Sequence, residues 1–170
     1  MLPPLSRVFE ICLYSLLNFF PFLIFALYPF RDDLRFSRTK TGLLIVVLTF
    51  LQILFGLLAC FSTGNISAVL SLISTLSYAF FYFTVIRKSP GQLLFVLLMI
   101  SNIANLVVIT AKCLEGQFFP DFALLPYRYS MSLFMVIVEI FILIPVFIFL
   151  KKVITPATVS YTHLTLPTLL

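Results

Sequence analysis

The chain has 170 residues, 62% of them hydrophobic and only 10% charged, where soluble domains carry about 25% charged residues. No water-soluble core of this length hides so much apolar side chain, so the composition excludes a conventional soluble enzyme and points to lipid as the solvent. The net charge of +5 does not indicate nucleic acid, because the Lys and Arg residues fall in short clusters between apolar runs, as in loops that face anionic lipid and the cytoplasm.

Residues 11–30 are the first uncharged stretch, 20 residues long, enough to span roughly 30 Å of hydrocarbon as a helix. Pro21 lies inside it and predicts a kink. The run is long for the apolar part of a signal peptide and no small-x-small cleavage site follows, so it reads as an uncleaved helix. Residues 31–40, RDDLRFSRTK, are the most polar part of the chain. Further spans are expected at 42–61, at 66–86 (rich in Ser and aromatic residues) and at 93–111, with a tight RKSPGQ turn between the third and fourth. Residues 112–128, KCLEGQFFPDFALLPYR, read as a longer loop, and a fifth span at 129–150 ends at Lys151 and Lys152. Pro156 then discourages continuation of that helix. None of the runs alternates with period two, and backbone groups in lipid must be bonded internally, so the fold class expected is all-α: a polytopic bundle of about five transmembrane helices.

Lys and Arg set the expected orientation. Placing 31–40, 87–92 and 151–152 inside puts eight of the 11 basic residues in the cytoplasm and leaves Arg7, Lys112 and Arg128 outside. The N-terminus is then outside and the C-terminus inside, with the plasma membrane as the location. Cys12, Cys60 and Cys113 show no metal-ligand spacing. All three fall toward the outer face, so a disulfide is open to them, as is simple packing.

Polar residues within the spans are the candidate sites. Glu139 sits near the middle of the fifth span between MVIV and IFIL, where an ionised carboxylate costs roughly 2.5–3.5 kcal/mol. It should be neutral, or face a partner or a wet cavity. Asn102 and Asn105 are three apart on the fourth span, at a depth close to that of Glu139, and a hydrogen bond between these two helices is expected. Gln52, Ser71, Ser74, Thr75 and Ser77 lie at accessible depths on the second and third spans. Such groups are interhelical hydrogen-bonding partners worth about 0.6–2 kcal/mol each, or together the lining of a small polar pocket near the bilayer centre. Phe118, Phe119, Phe122 and Tyr127 make the 112–128 loop aromatic, as in segments that rest among lipid headgroups or admit an apolar signal. The aromatic residues from Tyr78 to Phe83 read as packing.

Residues 159–168, VSYTHLTLPT, resemble the translated transposase adapter of shotgun sequencing libraries. Residues 158–170 are therefore expected to be a non-native tail, which withdraws His163, the single histidine, from any functional argument. Residues 1–157 then hold no phosphate loop, no Ser/His/Asp set and no histidine, so no catalytic residue and no metal or cofactor site is assigned. No inverted repeat of the kind used by transporters is detectable.

With the spans laid out, residues 13–41, the SNIAN to KCLEG run (101–116) and residues 127–157 resemble a group of Firmicutes sensor histidine kinases with a GHKL-type ATPase domain, similar to the accessory-gene-regulator sensors. The resemblance implies a membrane sensor region of a homodimeric receptor for a peptide or other small signal. Its cytoplasmic part would use ATP and magnesium and would signal to a response regulator; that part is absent here. Glu139, Asn102, Asn105 and Gln52 are the residues expected to bind ligand or couple the helices. The alternative is a small non-enzymatic polytopic protein, such as a transporter or assembly factor.

Overall fold

A computed structural model describes residues 4–62 and 64–151; the expected tail at 158–170, with His163, and Lys152 and Pro156 lie outside the described residues. The chain is an all-α bundle. Helix α1 (Leu5–Leu27) passes through a short 3-10 turn (Tyr28–Phe30) and a connector to α2 (Arg38–Phe61). Then follow α3 (Asn65–Val85), α4 (Pro90–Phe118), the one-turn α5 (Pro120–Ala123) and α6 (Tyr129–Phe149). Five of these helices are long and apolar enough to cross a membrane.

Two helices run well past their expected limits, because a charge does not end a helix when its partner lies one turn away. Helix α1 begins at Leu5 rather than near 11: Arg7 pairs with Glu10 at 2.9 Å across one turn, which lets Glu10 be buried. Helix α4 continues through residues expected to be loop as far as Phe118, carried by the 2.7 Å Lys112–Glu115 pair. It stops at Phe119 because Pro120 disfavours helical backbone in the preceding residue. At its start, Pro90 occupies the first turn, where its fixed φ suits the helix and its missing N–H costs nothing. Pro21 sits inside α1 as expected, and Pro145 inside α6.

Helix α1 is the centre of the bundle. It packs on α2, which pairs with α3, and on α4 and α6, which pair with each other. Phe22, Ala26, Tyr82, Val96, Ile100, Val107, Met131 and Met135 form the main core. The Tyr82 hydroxyl, fully buried, donates to the Ala26 carbonyl at 3.0 Å and fixes α3 against α1. The outward faces carry Phe50 and Val47 on α2, Leu72 and Phe80 on α3, Phe95 and Ile109 on α4, and Phe141 and Ile144 on α6, all exposed. An apolar surface this continuous is a lipid contact.

One end of the bundle is made by the 31–37 connector and the α3–α4 turn. These are joined by an antiparallel bridge between Leu34 and Ile86, in which the Arg35 and Arg87 amides donate to the Val85 and Asp33 carbonyls, each at 2.8 Å. Lys88 pairs with Asp33 at 3.2 Å. The opposite end holds the α2–α3 turn, with Gly64 at φ +58°, and the α4–α6 corner around α5. Helices α3 and α4 leave the first end from a common turn and touch little elsewhere, so they diverge toward the second.

Candidate functional site

The divergence of α3 from α4 leaves a cavity of about 330 Å³ in the half of the bundle nearer the α4–α6 corner. Four helices furnish its polar lining: Tyr14, Ser15 and Asn18 on α1, Gln52 on α2, Ser71, Ser74, Thr75 and Tyr78 on α3, and Ser101 and Asn105 on α4. Phe19, Phe22, Phe55 and Ile100 add apolar wall, and Tyr127 comes down from the α4–α6 corner. Gly56 lines it too, because α1 and α2 approach so closely there that a Cβ would overlap the Ser15 hydroxyl.

The polar groups divide into two sets. Gln52 is fully engaged: its Nε2 donates to the Ser74 carbonyl at 3.0 Å and to Ser77 Oγ at 3.1 Å, and its Oε1 accepts from the Ser74 hydroxyl. This is the α2–α3 glue that polar residues supply in lipid. Asn18, Ser101 and Asn105 make no side-chain hydrogen bond among the described residues, and the Tyr78 hydroxyl is buried without a partner. For the buried Tyr78 hydroxyl this costs about 1–3 kcal/mol, whereas Asn18, Ser101 and Asn105 are exposed on the cavity wall. Free amides and hydroxyls facing one hollow can hydrogen-bond an occupant.

Tyr127 closes the corner in a conformation that bulky residues avoid, φ +59°. Three contacts hold it. Its ring lies against Tyr14, with centroids 4.5 Å apart. Arg7 reaches across from α1 to donate to the Pro126 carbonyl and, at 3.4 Å, to the Tyr127 carbonyl. Glu10, buried at the same level, is shared between Arg7 at 2.9 Å and Arg128 at 3.5 Å. Burial pushes the Tyr127 phenol above its ordinary pKa of 10, Cys60 adds to the rise, and Arg7 opposes it. A second buried acid, Glu115, is held by Lys112 and accepts from the Ser130 hydroxyl, tying α4 to α6.

The expected sites therefore separate. Gln52 and Asn105 line the cavity. Asn102 does not: its Nδ2 donates to the Leu98 carbonyl of its own helix at 2.9 Å, and the residue is exposed toward lipid. Glu139 is buried on α6 beside Met135 and Val138, and its Oε1 has no hydrogen-bond partner. The hydrogen bond expected between α4 and α6 at this level is not formed, because Asn102 spends its amide on its own helix and Asn105 lines the cavity instead. Tyr14, Ser15, Asn18, Tyr78 and Tyr127 were not legible as cavity residues. Nor were Glu10 and Glu115 as buried acids, although a basic residue three positions before each was a usable signal. Cys12, Cys60 and Cys113 are free thiols, and no group of metal-ligating side chains occurs among the described residues. No protein-family model, no curated protein and no solved structure matches the chain.

Proposed function

We propose that this chain is the membrane-embedded signal-sensing domain of a two-component sensor histidine kinase, and that the polar cavity receives the signal. The observation that carries the reading is that Asn18, Ser101 and Asn105, from two helices, line one cavity with no side-chain hydrogen bond among the described residues. Polar groups in a bilayer are satisfied by neighbouring helices when packing is their sole role. An occupant with its own donors and acceptors accounts for these. A volume of about 330 Å³ is at the small end of ligand sites and suits one or two side chains of a peptide, the signal class implied by the sequence resemblance.

The bundle offers a route for the response. An occupant that draws α3 and α4 together, or holds them apart, changes how α1 seats against the α4–α6 pair. Helix α6 carries that change toward Lys151, where the charge distribution favours the cytoplasm. The kinase part, with its ATP and magnesium, would follow there, paired in a homodimer and acting on a response regulator. A ligand shifts such an equilibrium only by its difference in affinity for the two packings, and about 1.4 kcal/mol gives tenfold.

Two measurements test this. Genomic sequence beyond Ala157 should encode a dimerisation helix with a phosphoacceptor histidine and then an Asn box; further apolar spans there would reject the reading. In a reporter strain carrying the full receptor, conditioned medium should raise output. Asn105→Leu and Ser101→Leu should each reduce that response about tenfold, as expected for loss of a hydrogen bond or filling of the hollow. An unaltered response from both variants at normal membrane abundance would place the signal elsewhere.

A further inference from the structure

At the opposite end of the bundle, a hollow of about 490 Å³ lies between the 31–37 connector and the first turns of α2, lined by Arg31, Asp32, Leu34, Arg38, Thr41, Gly42 and Ile45. We propose that it binds the phosphodiester headgroup of an anionic phospholipid, independently of what occupies the bilayer cavity.

Three observations meet there. The first turn of α2 holds Arg38 and Lys40 and no acidic residue, so its own side chains add positive charge to the positive end of the helix dipole. Ser37 caps only the Lys40 amide, at 3.4 Å, and Arg38 has no acidic partner among the described residues. An anion offsets both, and backbone N–H groups at a helix start bind phosphate readily.

The second observation is Thr41. The residue is only 4% exposed, yet its hydroxyl has no hydrogen-bond partner. Elsewhere in the bundle Thr49, Ser71, Thr75 and Thr84 satisfy their hydroxyls on the carbonyl four residues earlier. Thr41 forgoes that bond although its amide donates to the corresponding Ser37 carbonyl at 2.9 Å. Thr41 is among the residues that line the basic hollow, and rotation of its side chain would give the buried hydroxyl an acceptor in an anion seated there.

The third is position. Leu34, Gly42 and Ile45 line the hollow alongside the basic groups, and a Cβ added at Gly42 would meet nothing within 4 Å. The exposed face of α2 continues through Leu43, Val46 and Val47 into the lipid-facing surface. A headgroup seated among the arginines leaves its acyl chains along this face, which a free phosphate has no use for. Arg31 is steadied over the Tyr28 ring at 5.5 Å and touches Asp32 at 3.4 Å, so Asp32 competes with the anion for it.

The test uses the full chain, purified in detergent and mixed with phosphatidylglycerol or phosphatidylcholine. Native mass spectrometry reads retained lipid, and inorganic phosphate is added as a competitor. Phosphatidylglycerol should be retained preferentially, and Arg31→Gln with Arg38→Gln should lower retention about fivefold for each arginine. Thr41→Val should lower it while leaving thermal stability unchanged or higher, and Asp32→Asn should raise it. Equal retention of both lipids would overturn the proposal, as would undiminished retention in a folded double-arginine variant. Displacement of the lipid by inorganic phosphate at equimolar concentration would assign the hollow to free phosphate and overturn the lipid assignment.

Discussion

Arg7, on the first turns of α1, holds the backbone of Tyr127, 120 residues later in the chain, by donating to its carbonyl at 3.4 Å and to the Pro126 carbonyl beside it. The same guanidinium neutralises the buried Glu10. One side chain thus fixes the corner that bounds the cavity and permits an acid to sit inside the bundle.

Replacing Arg7 by Gln should therefore do more than remove a surface charge. It leaves Glu10 with only the 3.5 Å contact to Arg128 and frees a backbone that is held at φ +59°. A loss of about 1.5–3 kcal/mol is expected, read from unfolding in mixed micelles of increasing SDS fraction. The double variant Arg7→Gln, Glu10→Gln should recover part of it, since the uncompensated charge is gone. Equal stability of wild type and Arg7→Gln would show that the corner holds itself.

The Tyr127 phenol gives an alkaline signature. Its folded pKa lies above the ordinary 10 because burial disfavours the phenolate. The folded chain holds this proton more tightly than the unfolded chain. The contribution to stability is full below pH 10 and is lost as pH rises toward the folded value. Tyr127→Phe should flatten that part of the stability profile above pH 10, measured by the same unfolding assay. A profile unchanged by the substitution would assign the alkaline loss to other groups.

Gln52→Leu should loosen the α2–α3 pair. The substitution removes both amide donations and strands the Ser74 hydroxyl, at about 0.6–2 kcal/mol per lost interhelical bond. Cysteine pairs placed across α2 and α3 should then crosslink at more registers than in the wild type. A crosslinking pattern that does not broaden would mean apolar packing alone sets the register.

For Glu139 the expected direction is opposite. Its Oε1 is buried and unpaired, so Glu139→Leu removes a polar group that gains nothing from its surroundings and should hold or raise stability by up to about 1–3 kcal/mol. If the residue also couples α6 to the cavity, the same variant should lose signal response in the reporter strain despite its better packing. Lower stability in Glu139→Leu would mean that the carboxyl has a partner after all.

The five membrane helices were determined by sequence alone, since apolar runs of about twenty residues have no other stable form in lipid than internally bonded helices. The same patterning placed Gln52, Ser71, Ser74, Thr75, Ser101 and Asn105 at membrane depth. Which way each residue turned was not written in that pattern. A helix surrounded by lipid on one side and other helices on the other is apolar all round, so its sequence has little periodicity to mark the buried face. The tertiary structure alone decided that Asn105 faces the cavity while Asn102, one turn away, is spent on its own backbone. It likewise brought Tyr127 beside Tyr14 and left Thr41 without a partner. Each of these depends on which helices neighbour one another, and uniform hydrophobicity carries no record of neighbours.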